Sequence, residues 1–196
     1  MSRDKILHAL RQNQPEFVPL PLIPDFERNE ELSLVEKFKS MAAGIGSTIS
    51  HVGSLTAVPD LIIKEFADAK RILSTVNSVI GKGIIGFELN TDPHTYADVD
   101  VAIFNPVLGV AENSALWLTE ELSGIRVLPF ITQHIVMLVN EEKIVADMHT
   151  AYKIIGSSDY GFGTFIAGPS KTADIEQSLV LGAHGARSMT IYLYKA

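Results

Sequence analysis

Between Glu31 and Val76 the apolar period of the chain switches from helical to strand-like, and does so twice. Leu34, Val35, Phe38 and Met41 form the stripe of a helix over Glu31 to Ala43, which Gly44 and Gly46 end. Ser47 to Val52 follows as a short strand. Val58 to Ala69 returns to helical spacing, with Pro59 near its start and Leu61, Ile62, Glu65 and Phe66 after it. Arg71 to Val76 then reads as a buried strand. Helix then strand, repeated, is the rhythm of a layered α/β domain, because each strand needs a helix to cover its apolar face. The remaining chain continues in kind. Val99 to Phe104 is a strand ending at Asn105-Pro106, Val107 to Leu118 is an apolar hairpin-like segment, Ile135 to Val139 is a strand, and Lys143 to Ile155 is a helix.

The stretch with the composition of a site is Gly163 to Tyr194. Thr164 to Ala167 is a short apolar strand that turns through Gly168-Pro169-Ser170. Met189 to Tyr194 alternates Met189, Ile191 and Leu193 on one face with Thr190, Tyr192 and Tyr194 on the other. Between the strands lie Ser170, Thr172, Asp174, Glu176, His184 and Arg187, with glycines where backbone can approach a ligand closely.

The run GPSKTADIEQSLVLGAHGARS resembles the signature of the LUD domain, the lactate-utilisation domain of the protein C type. GVAENSALWLTEE at Gly109 to Glu121 and RVLPFITQHIVMLV from Arg126 are similar to further motifs of that family. The resemblance implies a single α/β domain with an open mixed β-sheet flanked by helices, similar to the NagB/RpiA/CoA transferase-like fold. It places the LUD domain at 30–196, behind an N-terminal helix and Pro-rich arm at 1–29. It also implies a part in oxidising L-lactate to pyruvate beside iron–sulfur partner proteins, as a non-redox subunit or regulator. A fold hosts many chemistries, so a stand-alone enzyme acting on an acyl or phosphorylated small molecule stays open, as does a small-anion sensor. Whether the chain is itself an enzyme is left undecided at this level.

Composition narrows these readings. The chain has 196 residues, enough for one packed domain, and no break in composition divides it. A net charge of −7 with no basic stripe argues against a nucleic-acid binder. No apolar run reaches the roughly 20 residues of a membrane span. MSRDKILHALRQ lacks the apolar core of a signal peptide, so a cytoplasmic location is expected. There are no cysteines, which excludes disulfides, thiol nucleophiles and thiolate-held iron–sulfur clusters. Its own side chains therefore carry no cysteine-ligated metal centre, and electrons would travel through partner subunits or a bound organic cofactor. No cofactor of its own is expected, and the resemblance implies iron–sulfur clusters only in partner proteins. The arm contains Pro15, Pro19, Pro21 and Pro24, and the helix it carries can lie on its own body or on a neighbouring subunit.

Individual residues have two readings each. Glu112 and Asn113 interrupt an apolar run, and the Glu-Asn-Ser sequence resembles the Glu-Asn-Gly of some CoA transferases. There the carboxylate attacks an acyl-CoA to give a glutamyl thioester. Ser114 stands where that pattern has glycine. The alternative is a hairpin turn in water. Arg126 and Arg187 are candidate forks for a carboxylate or phosphate, or else ion pairs with Glu120, Glu121 or Glu176. Ser170, Thr172 and the amides after Pro169 can cradle an anion together with His184, Gly185 and Arg187, or else Thr172 is an ordinary helix cap, without the acid three residues on that completes a capping box. Asp174 and Glu176 would face opposite ways on a helix, one inward. The histidines show no metal-ligand spacing, and Ser170, Asp174 and His184 lack a nucleophile elbow. Gly81-Lys82-Gly83-Ile84-Ile85-Gly86 matches G-x-G-x-x-G but leads into poor helix sequence, so a glycine-rich connection is expected.

Overall fold

The computed structural model describes residues 2–19, 21, 32–90, 92–172 and 180–195. The chain divides into two compact units, Met1–Glu31 and Leu32–Ala196. In the first, α1 (Arg3–Gln12) has Asp4 in its first turn and Arg11 in its last, both favourable to the helix dipole, and none of its side chains is buried.

In the second unit α2 (Leu34–Gly44) begins at Leu34, because the Ser33 hydroxyl accepts the Glu36 N–H at 3.2 Å and caps it. Then come β1 (Thr48–His51), α3 (Val58–Glu65), β2 (Ile72–Ser74), β3 (Ile84–Gly86), β4 (Val101–Phe104), β5 (Leu108–Val110) and β6 (Leu116–Thr119). Short helices α4 (Glu120–Ser123) and α5 (Leu128–Ile131) lead to β7 (His134–Asn140), β8 (Ile144–Val145) and α6 (Met148–Ile155). The chain ends with β9 (Gly163–Ile166), β10 (Lys171–Thr172), β11 (Val180–Leu181) and β12 (Ser188–Tyr194).

Six strands form one sheet in the order β1-β12-β7-β4-β2-β3, and every pairing in it is parallel. Antiparallel pairs occur in a second sheet, β8-β5-β6-β9, and in the β10–β11 ribbon. The alternation of β12 sorts its side chains between two cores. Met189, Ile191 and Leu193 join Phe104, Met137 and Phe38 of α2. Tyr192 joins Ile103, Leu138 and the α3 residues Val58 and Ile62. Burial on both faces is what a parallel sheet requires, and each full burial of such a side chain is worth about 1.5–3 kcal/mol. The second sheet presents Leu116 and Leu118 to the first core and Trp117 to Ala151 and Ile155 of α6. Trp117 is therefore a core residue, as its apolar neighbours predict.

Three element boundaries differ from expectation for local reasons. α6 starts at Met148 rather than Lys143, because Ile144 and Val145 pair with β5 and the Asp147 carboxylate caps the helix through Thr150 N–H at 2.7 Å. α3 stops at Glu65 rather than Ala69; beyond it the Asp100 carboxylate accepts the N–H groups of Lys70 and Arg71 at 2.7 and 3.1 Å. The Gly81–Gly86 segment makes a left-handed turn at Gly81, Lys82 and Gly83 and enters edge strand β3, not a helix. Among the described residues the segment leads into a strand, so no α-helix opens directly from it to meet a pyrophosphate.

Candidate functional site

The β5–β6 hairpin carries the Glu-Asn-Ser sequence at its tip. Glu112 is exposed, and its Oε2 accepts the Met148 N–H at 3.0 Å, adding a second acceptor to the start of α6. Asn113 folds back so that its Oδ1 accepts the Ala115 N–H at 3.0 Å. Ser114 is buried and left-handed, with φ of 56°, the conformation for which glycine is ordinarily chosen. Arg126 grips Glu120 through both forks, Nε to Oε1 at 2.6 Å and a terminal nitrogen to Oε2 at 2.9 Å, and lies over the Phe162 ring. The guanidinium hydrogen bond holds the Glu120 carboxyl below its usual range. Of the two readings of Arg126, the pair with Glu120 is the one the geometry displays.

The site loop is split between two cavities. Ser170, His184 and Gly185 meet at one of about 310 Å³, walled on its other side by Phe130, Phe165 and Ile166 and edged by Lys171. The Ser170 N–H is not free for a ligand; it donates to the Ala186 carbonyl at 2.8 Å. Thr172 lies in the β10–β11 ribbon opposite Val180. Asp174 and Glu176 lie outside the described residues. Arg187 lines a different cavity. Its N–H donates to the Gln133 carbonyl at 2.8 Å, which fixes it at the start of β12 beside β7. The glycines between serve neighbouring side chains: a Cβ on Gly182 would collide with the Arg187 stem, and one on Gly185 would reach the Ser170 Cβ at 3.3 Å.

The cavity holding Arg187 is the larger, about 680 Å³, at the N-terminal ends of β4, β7 and β12. There His134 Nδ1 and Ser188 Oγ lie 2.8 Å apart. Burial, and then the Arg187 charge, push the His134 pKa down. Glu65 is fixed by two hydroxyls, Thr190 Oγ1–H at 2.6 Å and Tyr192 O–H at 2.8 Å. Burial and that bond raise the Tyr192 pKa. At the opposite ends of the strands, Thr75 and Asn77 after β2 face Asn105 and Pro106 after β4 across a crevice of about 370 Å³. The chain adds β3 on one side of β2 and β4, β7 and β12 on the other, so this crevice is the switch point of the parallel sheet. With its Oδ1 accepting from Tyr194 O–H at 3.1 Å, Asn105 can also donate to the Leu138 carbonyl at 3.2 Å. Among the described residues no group of three or more His, Asp or Glu side chains is placed to hold a metal ion.

The pattern of the LUD domain matches residues 32–194, nearly the whole second unit. The chain belongs to the LUD domain family. It is 24% identical over 195 residues to lactate utilization protein C of Deinococcus radiodurans, across 95% of this chain and 90% of that one. It is 25% identical over 214 residues to an uncharacterised protein of Neisseria meningitidis serogroup B, across 97% and 92% of the two chains. A crystal structure of a DUF162 family protein from Deinococcus radiodurans superposes with a TM-score of 0.65 at 16% identity, covering 82% of this chain and 96% of that one. That likeness bears on the α/β fold alone. Among the described residues of this LUD chain no helix is long and apolar enough to cross a membrane.

Sequence reasoning missed Glu65, Asp100 and His134 of this LUD domain. One signal was available: Glu65 follows Val58, Leu61 and Ile62 at helical spacing in α3, and a carboxylate beside such apolar neighbours, though itself exposed, gains from hydroxyl partners. Those partners, Thr190 and Tyr192, are 125 and 127 residues away, so only the fold could name them.

Proposed function

We propose that this LUD chain serves lactate utilisation as a component that carries no redox centre of its own and works with iron–sulfur partner proteins in oxidising L-lactate to pyruvate. The observation that carries the reading is the similarity to lactate utilization protein C of Deinococcus radiodurans along nearly the full length of both chains. The absence of cysteine supports the division of labour, since electrons would pass through clusters held elsewhere. For the small carboxylate we favour the cavity of Ser170, Lys171 and His184. Its basic and hydroxyl groups suit a carboxylate, and Phe165 and Ile166 suit a short apolar tail. The test is growth of a strain lacking the gene. Growth on L-lactate should be lost, growth on pyruvate kept, and the gene for this chain should restore the first. Unchanged growth on lactate sinks the proposal.

One observation favours a second reading. The left-handed Ser114 beside an exposed Glu112 is a strained backbone position in the sequence that resembles the CoA transferase motif. In that reading Glu112 attacks the acyl carbonyl and expels CoA thiolate, which then attacks the glutamyl carbonyl, releasing the acyl group as a free carboxylate and leaving a glutamyl-CoA thioester. Incubation with acetyl-CoA followed by borohydride and mass spectrometry should then mark Glu112. An unmodified peptide rejects the transferase reading and leaves the first intact.

A further inference from the structure

We propose that the cavity at the N-terminal ends of β4, β7 and β12 binds a small zwitterion, a ligand carrying an ammonium and a carboxylate as a free amino acid does. The proposal stands apart from the lactate reading, which uses other residues.

The size comes first. About 680 Å³ lies within the range of small-molecule sites. Three of the groups around it, Glu65, His134 and Asp100, are held by other parts of the fold. Glu65 is oriented by two hydroxyls from β12, one on each oxygen. A carboxylate has about four lone-pair sites, so each oxygen keeps one for a ligand. His134 is set by Ser188, its register partner across β7 and β12, and its ring lies 5.2 Å from that of Phe66. Asp100 is fixed by the backbone N–H groups of Lys70 and Arg71.

Charge selects the ligand. Glu65, Asp68 and Asp100 face the cavity against the single guanidinium of Arg187. The carbonyl end of α3, which terminates at Glu65, adds further negative potential. A simple anion would meet three carboxylates to reach one arginine. A simple cation would leave Arg187 unanswered, and among the described residues no carboxylate lies within ion-pair distance of it. A ligand with both poles satisfies both. The ammonium goes to Glu65, against the Phe66 and His134 rings, and the carboxylate goes to the planar fork of Arg187.

The experiment is binding by NMR and thermal shift on the full chain. The probes are glycine, L-alanine, β-alanine and 4-aminobutyrate, which step the spacing of the two poles. Propionate and propylamine supply one pole each. At least one zwitterion should bind, with amide shifts centred on Gln133, His134 and Arg187. Each single-pole analogue should bind roughly ten- to hundredfold more weakly, the worth of one charge-assisted contact. Arg187→Met and Asp68→Asn should each weaken the zwitterion, and Asp68, being exposed, leaves the fold unchanged if Glu65→Gln does not. The proposal is overturned if no zwitterion binds, if propionate or propylamine binds as well, or if the variants bind like wild type.

Discussion

Gly163→Ala should cost this protein about 1–2 kcal/mol through a single ring. Gly163 opens β9 opposite Thr119, and its φ is not left-handed, so the substitution carries no backbone penalty. A Cβ there would enter the shells of Trp117 Cζ2 and Cη2 and lie 3.2 Å from Tyr160 Cδ2. Trp117 cannot step aside. Its ring is 4.7 Å from Phe165 and 5.2 Å from Tyr160, and the residue is only 6% exposed. Overpacking of this kind costs about 1–3 kcal/mol. Replacing glycine also removes freedom from the unfolded chain, which returns about 0.4–1 kcal/mol. The net lowers the melting temperature by roughly 3–6 °C for a chain of this size. Trp117 is the only tryptophan, so urea unfolding followed by its fluorescence reads the site directly. The midpoint should fall with the slope unchanged. A cycle with Trp117→Leu, followed by circular dichroism, isolates the cause: with the ring gone, Gly163→Ala should become neutral or stabilising. An undiminished cost in the leucine background would refute the steric argument.

Ser114→Val places a β-branched residue at a left-handed φ and should destabilise by about 2 kcal/mol, while Ser114→Gly keeps at least wild-type stability in the same urea assay. Glu112→Ala removes an acceptor from the first turn of α6 and should cost about 0.5–1.5 kcal/mol; Glu112→Gln keeps an oxygen for Met148 N–H and should cost little. The depressed pKa of His134 fixes a sign. The unfolded chain binds that proton more readily, so stability is present above the ordinary value of 6.5 and is lost as pH falls through and below it. His134→Gln should flatten this slope in melts between pH 7 and pH 5, and an unchanged slope would show that another group carries it.

Much of the fold was legible because periodicity is local. The alternation Met189, Ile191, Leu193 against Thr190, Tyr192 marks a strand buried on two faces, and the hydrophobic stripe of α2 marks its covering helix. β3 was not legible. Its three residues follow three glycine-type turn positions, and only pairing with β2 makes Ile84–Gly86 a strand. The site was legible in part. Ser170, His184 and Gly185 do converge, as the density of polar groups suggested. Arg187 does not join them, since its direction is set by Gln133, 54 positions earlier, through a backbone bond that no motif records. The Arg126 pair with Glu120, one of three acids the sequence offers the arginines, needs no distant contact, because only six residues separate the two.

The place of β12 has a consequence for how the molecule is made. Among the described residues β1 hydrogen-bonds in the sheet only to β12, pairing Thr48–His51 with Thr190–Leu193. On a ribosome the chain can assemble β3, β2, β4 and β7 as they emerge, but β1 waits for β12, the strand of this sheet that comes last in chain order. Until then β1 and one side of β7 present bare backbone, and Ile135 and Met137 lack Met189 and Ile191 beside them. Pairings so distant along a chain form slowly, and such exposed edges attract other chains. Translation arrest or a stop codon ahead of Ser188 should therefore yield an aggregating product rather than a smaller folded one, and a chaperone that shields strand edges would matter most in the interval before β12 emerges.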